Sequence, residues 1–381
     1  MQITGSWGAW APGKRASLDL RGEIDGWSAR LTDVLDAETS AFEAELVAHP
    51  IELPLFQRQL WVRGASQEHR LFQLRDLQGG AAMQIALVVE RPRRFPLLGR
   101  ARAWKLGPAV SAEAEWNALR LLRVLCAEAG DLVSLRLQPY RREIGALRDF
   151  ESRARRAGYQ LCDPVGVTRT LLVDLAPPPE ELLAALSKKT RAKILHRGRA
   201  SVQLRPLESE RFIPSCVDAV NAAMIRTQGG TSQFDLAGAF AVQRADPRHA
   251  HGIGAFLPAE PDALLAFVFG FCHGEIAEYG VAGSLRHDAL RSVPFNYWML
   301  WQLIVWAREA GARWLDLGGI TDGGPGDSLA GISEFKRHFT ELDVELGREL
   351  SIELQPVRAW ALSLWSGLRA RRRAPKNGSA R

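Results

Sequence analysis

The sequence predicts an α/β chain of two tandem units, each a mixed, mostly antiparallel sheet flanked by helices. Three observations carry this. At 381 residues the chain is long enough for two proper cores. The same order of hairpin, long helix and strand occurs twice. The two helix ends also align: the segment Leu121 to Gly130 matches Gln302 to Gly311 at Leu, at Val and at the closing Glu-Ala-Gly. Each is followed by a Leu-x-Leu strand, Leu135-Arg136-Leu137 and Leu315-Asp316-Leu317. Glu-Ala-Gly is a common helix end, so the weight rests on the shared order of elements.

Taken in order, residues 1 to about 30 are rich in Gly and Trp with little periodicity and read as an irregular segment. Ala37 to Ala48 reads as a helix. Strand-like runs from Leu71 to Leu77 and Met83 to Glu90 meet at Gln78-Gly79-Gly80, a hairpin signal. A strand from Ala101 to Leu106 ends at Gly107-Pro108, and a helix from Ala112 to Ala129 closes at Gly130. The strand Leu132 to Leu137 and the charged helix Glu143 to Ala157 complete a first unit, residues 1–163. The second unit, 164–355, opens with a strand from Arg169 to Asp174. After Pro177-Pro178-Pro179 a single helix is expected from Glu180 to about Arg197, acidic at its start and basic at its end, as the helix dipole favours. Strands follow near Ala250 to Leu257, Ala263 to Cys272 and Glu275 to Ala282. Pro294 opens a helix that closes at Gly311. Residues 356–381 place Val357, Trp360, Ala361, Leu364, Trp365 and Leu368 on one helical stripe, ahead of Arg371-Arg372-Arg373. Such a stripe suits either an interfacial helix on an anionic membrane or a helix docked on the protein.

Composition narrows the function classes. With 46% hydrophobic and 24% charged residues, wholesale disorder is excluded. The net charge of +6 fits an anionic partner or a basic background. Cys126, Cys162, Cys216 and Cys272 form no Cys-x-x-Cys pair, which leaves zinc and redox motifs unsupported and points to a reduced cytosol. No signal-peptide or transmembrane run of about 18 apolar residues is present, so a cytoplasmic protein, at most peripheral at the inner membrane face, is expected. No Ser/His/Asp set, His-Glu-x-x-His or P-loop occurs. His249 and His251 lack a third ligand, so no metal is expected. From Lys188 to Arg199 the residues Lys188, Lys189, Arg191, Lys193, Arg197 and Arg199 run without an acid, a density that suits phosphates or a solvated face.

Two such units suit acyltransferase domains of the GNAT type. Members that bind coenzyme A carry Arg/Gln-x-x-Gly-x-Gly/Ala at a helix start, where backbone amides cradle pyrophosphate. Here only near misses occur, at Arg155 to Gln160, Arg226 to Thr231 and Arg308 to Arg313, and the first and last fall at helix C-termini, the wrong pole for an anion.

One stretch is more specific. Leu315-Asp316-Leu317-Gly318-Gly319-Ile320 is followed by a glycine-rich loop, then Gly331-Ile332 and Phe335-Lys336-Arg337-x-Phe339. This resembles the C-terminal signature of the FemABX peptidyltransferases. Gln57-x-x-x-Trp61, Leu106-Gly107-Pro108 and Leu186 to Arg191 agree with it. The resemblance runs from about residue 50 to 350 and lacks a coiled-coil arm. It implies two tandem GNAT-like domains and transfer of an amino acid from aminoacyl-tRNA to the stem peptide of a peptidoglycan precursor, nucleotide- or lipid-linked, with no cofactor. Acylation of an amino sugar or polysaccharide precursor by a coenzyme A thioester is the alternative, and a non-catalytic RNA- or membrane-binding relative a third.

The resemblance also implies roles. Lys336 matches the family lysine beside the reacting ester and phosphate, Arg226 a precursor-binding arginine, and Tyr279 a substrate-contact tyrosine. Trp61, Arg63 and Phe335 are expected at the substrate, and Lys188, Lys189 and Arg191 at the tRNA acceptor stem. The sequence departs from the pattern at Arg337-His338-Phe339-Thr340, where Arg-Gly-Phe-Gly is common, and no lysine follows Trp61, Arg63 being the nearby cation. Chemically, an amine must lose a proton as it attacks an ester, so Asp316 or Glu278 is the expected base, and Lys336 the oxyanion or phosphate partner. Against these stand plainer readings: Asp316 fixing the Gly-Gly turn, Glu278 facing solvent, Lys336 on the surface. The second unit carries the Gly-Gly break and Lys336 and the first does not, which places the chemistry in the second.

Overall fold

A computed structural model describes residues 2–7, 17–92, 95–141, 143–164, 168–196, 202–228, 232, 234–288, 293–324 and 326–358. The Trp stripe expected from Trp360 onward lies outside them. Two sheets organise the chain. The first holds β1 (Gln2–Trp7), β2 (Leu18–Ile24), β3 (Trp27–Thr32), β4 (His69–Asp76), β5 (Gly80–Glu90), β6 (Gly99–Leu106), β7 (Leu132–Pro139) and β8 (Gln160–Leu161). The second holds β9 (Arg169–Asp174), β10 (Gln203–Pro206), β11 (Ala250–Leu257), β12 (Glu260–His273), β13 (Ile276–Ser284), β14 (Trp314–Gly319) and β15 (Asp343–Glu345), in the order β10-β11-β12-β13-β14-β9-β15. The last described strand, β16 (Leu350–Glu353), crosses back into the first sheet between β7 and β8. Just before it, the buried Glu349 accepts from Arg102 Nη2 at 2.8 Å and Arg136 Nη1 at 3.1 Å, a charged clasp on β6 and β7.

The N-terminal segment is not irregular. β1, β2 and β3 form an antiparallel meander that extends the first sheet. The turn between β2 and β3 is Asp25-Gly26, with φ of 51° and 84°. Asp-Gly is the preferred two-residue hairpin pair because both positions need positive φ. Leu18 and Leu20 point into the core, an alternation that the surrounding Gly and Trp obscured.

Each sheet has one parallel pair joined through a long helix. In the first, α3 (Ala112–Glu128) connects β6 to β7, and Ser111 caps it by accepting from the amide of Ala114. Leu119, Leu122 and Leu125 of α3 pack on the sheet. The helix α4 (Ile144–Arg156) follows β7. In the second, α9 (Phe295–Glu309) connects β13 to β14, burying Trp298, Leu303 and Ile304. The other face of the second sheet is covered by α7 (Ile213–Gln228) and α8 (Leu236–Ala245). The first unit adds α1 (Ala37–Val47) and α2 (Gln59–Gly64).

The helix expected from Glu180 to Arg197 is two: α5 (Pro179–Ala185) and α6 (Lys188–Ile194). Leu186 is extended, and Ser187 restarts the helix by accepting from the amide of Thr190 at 3.1 Å. Arg191 closes α5, donating to the carbonyls of Ala184 and Leu186, both at 2.5 Å. A serine that caps from within a helical pattern marks the break. Among the described residues no helix is long and apolar enough to cross a membrane.

The two units share a core. Leu55 and Trp61 of the first pack with Phe271, Phe240 and Ala219 of the second. A β6 residue and a residue after β7 reach across the same seam, which brings them to the site.

Candidate active site at the fork between β13 and β14

The parallel pair β13–β14 begins at Ile276 opposite Trp314 and ends at Glu278 opposite Asp316. Beyond that point the strands part. Gly318 has φ of 74°, a left-handed backbone that favours glycine. Gly319 pairs instead with Thr170 of β9, after a register shift. On the other side β13 bulges against β12, where Gly270 faces Tyr279 and Phe269 faces Val281, leaving Gly280 unopposed. Bulges bend a strand and re-aim the neighbouring side chains. Strand, Gly-Gly and bulge together open a fork in the sheet. At the equivalent place in the first unit the register of β6 on β7 shifts after Ala103, but pairing resumes at Leu106 opposite Pro139, and the Tyr140 amide then donates to the Leu106 carbonyl at 3.1 Å.

Glu278 and Asp316 face one another across the last rung, both buried. Glu278 does not face solvent; it pairs with Lys105 Nζ, which also lies 3.8 Å from Asp316 Oδ2. Asp316 Oδ1 accepts from the Gly318 amide at 2.7 Å and from the Thr170 hydroxyl, and its Oδ2 accepts from the Tyr140 hydroxyl at 2.8 Å. With both oxygens engaged, Asp316 fixes the Gly-Gly turn, whereas the buried Glu278 Oε1 has no hydrogen-bond partner among the described residues. Burial pushes the Glu278 carboxyl above its ordinary range; Lys105 pulls it back and Asp316 pushes it further up. Burial would also lower Lys105, but the two carboxylates more than compensate and raise it. A carboxyl displaced toward neutrality is suited to accepting a proton from an amine.

Lys336 comes from α10 (Ala330–Arg337). It is buried at 8% exposure and donates from Nζ to the Gly319 carbonyl at 2.6 Å. Its ammonium lies 5.9 Å from the Tyr279 ring centre, and a Cβ at Gly318 would sit 3.6 Å from Nζ. Burial holds its amine well below the usual lysine value, at about 8, with Asp316 opposing that shift and Lys105 adding to it. Phe335 stands beside it, edge-on to Tyr297 at 5.1 Å and to Phe339 at 5.6 Å. Tyr279 is half-buried, and burial pushes its phenol up to about 12.

The structure thus brings Glu278, Asp316, Tyr279, Phe335 and Lys336 to one fork. Arg226 donates to the Ser284 carbonyl at 3.0 Å, at the far end of β13. Trp61 lies in the core, 6% exposed, edge-on to Phe56 at 4.7 Å and Phe271 at 5.5 Å. Arg63 is exposed but held toward α1, donating to Ser40 Oγ at 3.1 Å and Gln59 Oε1 at 3.2 Å. Lys188 and Lys189 are exposed on α6, whereas Arg191 is spent on capping α5. Sequence reasoning missed Lys105, Tyr140 and Thr170, which meet Glu278 and Asp316 only through folding. It also missed a relay from α6 to α10: Lys193 Nζ donates to the Tyr297 hydroxyl at 2.8 Å, which lies 2.8 Å from His338 Nδ1. Here His338 occupies the place where the family pattern has glycine.

Comparison with known proteins yields no matching family model and no matching curated protein. Solved structures do match. FemX superposes with a TM-score of 0.65 at 15% identity, over 87% of this chain and 99% of its own. This chain shares the FemX fold. The C-terminal domain of an Agrobacterium fabrum protein assigned as a lysylphosphatidylglycerol synthetase superposes with a TM-score of 0.51 at 14% identity, over 87% of this chain and 96% of its own. A tandem GNAT protein from clavulanic acid biosynthesis gives 0.49 at 14% identity, over 86% and 98%. The FemX match and the two sheets agree with the tandem two-unit α/β arrangement that the sequence predicted.

Proposed function

We propose that the protein is an acyltransferase that moves an amino acid from aminoacyl-tRNA to an amine of a peptidoglycan precursor stem peptide. The observation that carries this reading is the fork itself: an opened sheet with a buried carboxyl, Glu278, and a buried lysine of lowered basicity, Lys336, in a fold shared with FemX. In the step, the acceptor nitrogen forms a bond to the ester carbonyl carbon and the bond from that carbon to the ribose oxygen breaks. Glu278 takes the proton the nitrogen loses. Lys336, as the ammonium, supports the oxyanion and supplies a proton to the departing ribose oxygen. Asp316 keeps the Gly318-Gly319 turn in place and so positions the Gly319 carbonyl that aims Lys336. Lys188 and Lys189 meet donor phosphates. Arg226 and the first unit hold the acceptor.

A coenzyme A thioester is disfavoured as donor because the sequence leading into α9, Arg286 to Pro294, has no glycine and so lacks the Arg/Gln-x-x-Gly-x-Gly/Ala pattern that cradles a pyrophosphate. The test of the assignment is Glu278→Gln, assayed with charged tRNA and a nucleotide-linked stem-peptide precursor. The substitution removes the base and leaves the shape, so the expected loss is about 10²-fold or more in kcat with KM little changed. Unchanged kcat would take Glu278 out of the chemistry.

A further inference from the structure

The residue that most shapes the environment of Glu278 comes from the other unit. Lys105 sits one residue before the end of β6, yet its φ is 50°, a left-handed backbone rare for a residue with a side chain. Such conformations are strained and persist where the surroundings demand them. The register of β6 on β7 shifts here, so that Trp104 and Lys105 together stand against the single residue Gln138 between the pairs Ala103–Leu137 and Leu106–Pro139. The turned backbone sends the amine across the seam. There its Nζ stands 4.9 Å from the Tyr140 ring centre and 5.9 Å from that of Phe56, paired with Glu278 and 3.8 Å from Asp316.

We propose that Lys105 is a positioning residue for transfer: the first unit reaches over and holds Glu278 as an oriented carboxylate at the fork. The inference rests on Glu278 being the base. Every charged group around Glu278 bears on it. Asp316 on β14 and Glu52, from the segment before α2, are like charges that oppose ionisation. Tyr140, after β7, has its hydroxyl turned to Asp316. His273 Nε2 on β12 lies 3.8 Å from Glu278 Oε1. Lys105 is the opposite charge in direct contact, so it decides whether burial and two neighbouring carboxylates leave Glu278 ionised at neutral pH. It also makes the second unit's chemistry depend on the first, which gives the first copy a part in the reaction beyond holding the acceptor.

The test is the titration of the Glu278 carboxyl by carbon NMR in full-length protein, its signal identified by loss in Glu278→Gln. In Lys105→Met the midpoint is expected to rise by about 1–3 pH units, the usual effect of an opposite charge. Lys105→Arg restores it. Lys105→Met also shifts the acid limb of the kcat profile upward, with at least a tenfold loss at pH 7 and a KM changed less than threefold. If Lys105→Met does not fold, the reciprocal measurement applies: in Glu278→Gln the Lys105 amine titrates at lower pH than in the wild type. An unmoved midpoint in a folded Lys105→Met, or an unmoved Lys105 amine in Glu278→Gln, overturns the proposal. A moved midpoint with no transfer by the wild type upholds the coupling and counts against the transfer reading instead.

Discussion

Lys336 is held at a cost, and that cost is measurable. Its amine falls from 10.5 to about 8 because burial penalises the charge. A depression of about 2.5 units corresponds to about 3 kcal/mol against folding, at about 1.36 kcal/mol per unit. The sign follows from the direction. With a folded value below the unfolded one, the penalty is fully present below pH 8, shrinks as pH rises, and is gone above 10.5. Lys336→Met removes the penalty but strips the Gly319 carbonyl of its donor, a loss of about 1–2 kcal/mol. The variant is therefore expected to be more stable than the wild type at pH 7 by about 1–2 kcal/mol, with the advantage lost by pH 10.5. Urea denaturation at the two pH values reads this directly, and transfer should fall by about 10²-fold or more. A variant that is less stable at pH 7, by an amount that does not change with pH, would show that Lys336 is a structural lysine and that the fork is not a strained catalytic site.

Two further substitutions separate the core from the surface. Trp61→Ala should cost about 3–5 kcal/mol of stability through the cavity it leaves among Phe56, Phe234 and Phe271, measured by thermal denaturation, while affinity for tRNA in the folded variant stays as in the wild type. Replacing Lys188 and Lys189 together by Ala should weaken tRNA binding and lower the salt slope of log K by about 1 for each lysine, measured by anisotropy between about 50 and 200 mM salt; an unchanged slope would remove α6 from the donor path.

What the sequence made legible follows from how local each signal is. β9 falls where the sequence places it, Arg169–Asp174, because Leu171 and Val173 are buried between clear turn residues. The pairing of Glu278 with Asp316 was implicit in two runs that each end at glycine, once β13 and β14 are known to be parallel neighbours. The Gly318-Gly319 break was visible as composition, and its consequence, the opening of the sheet, needed the register. Local signals also competed. Asp25-Gly26 is a strong hairpin pair, outweighed in reading by the irregular company it keeps. Ser187 is a cap hidden inside a helical pattern. Trp61 illustrates a different limit: an aromatic in a family motif reads as a substrate contact, while its neighbours Phe56, Phe234 and Phe271 come from distant segments and make it core. Lys105 and Tyr140 had no sequence signal at all. One lies in an ordinary strand and the other follows a proline, and only the seam between the units brings them to Glu278 and Asp316.

The duplication also gains a physical meaning. The first copy resumes β6–β7 pairing after an irregularity between Ala103 and Leu106, from which Lys105 reaches outward; the second ends its pairing at Glu278 and Asp316 and receives that lysine. One copy supplies an opening and the other closes the charge balance at its base.

The central claim is the identity of the donor. The direct measurement is the mass gained by a stem-peptide precursor incubated with the protein, charged tRNA and acyl-coenzyme A together. The account predicts a gain equal to one aminoacyl residue, abolished by ribonuclease treatment of the donor. A gain equal to the acyl group of the thioester, unaffected by ribonuclease, would contradict it.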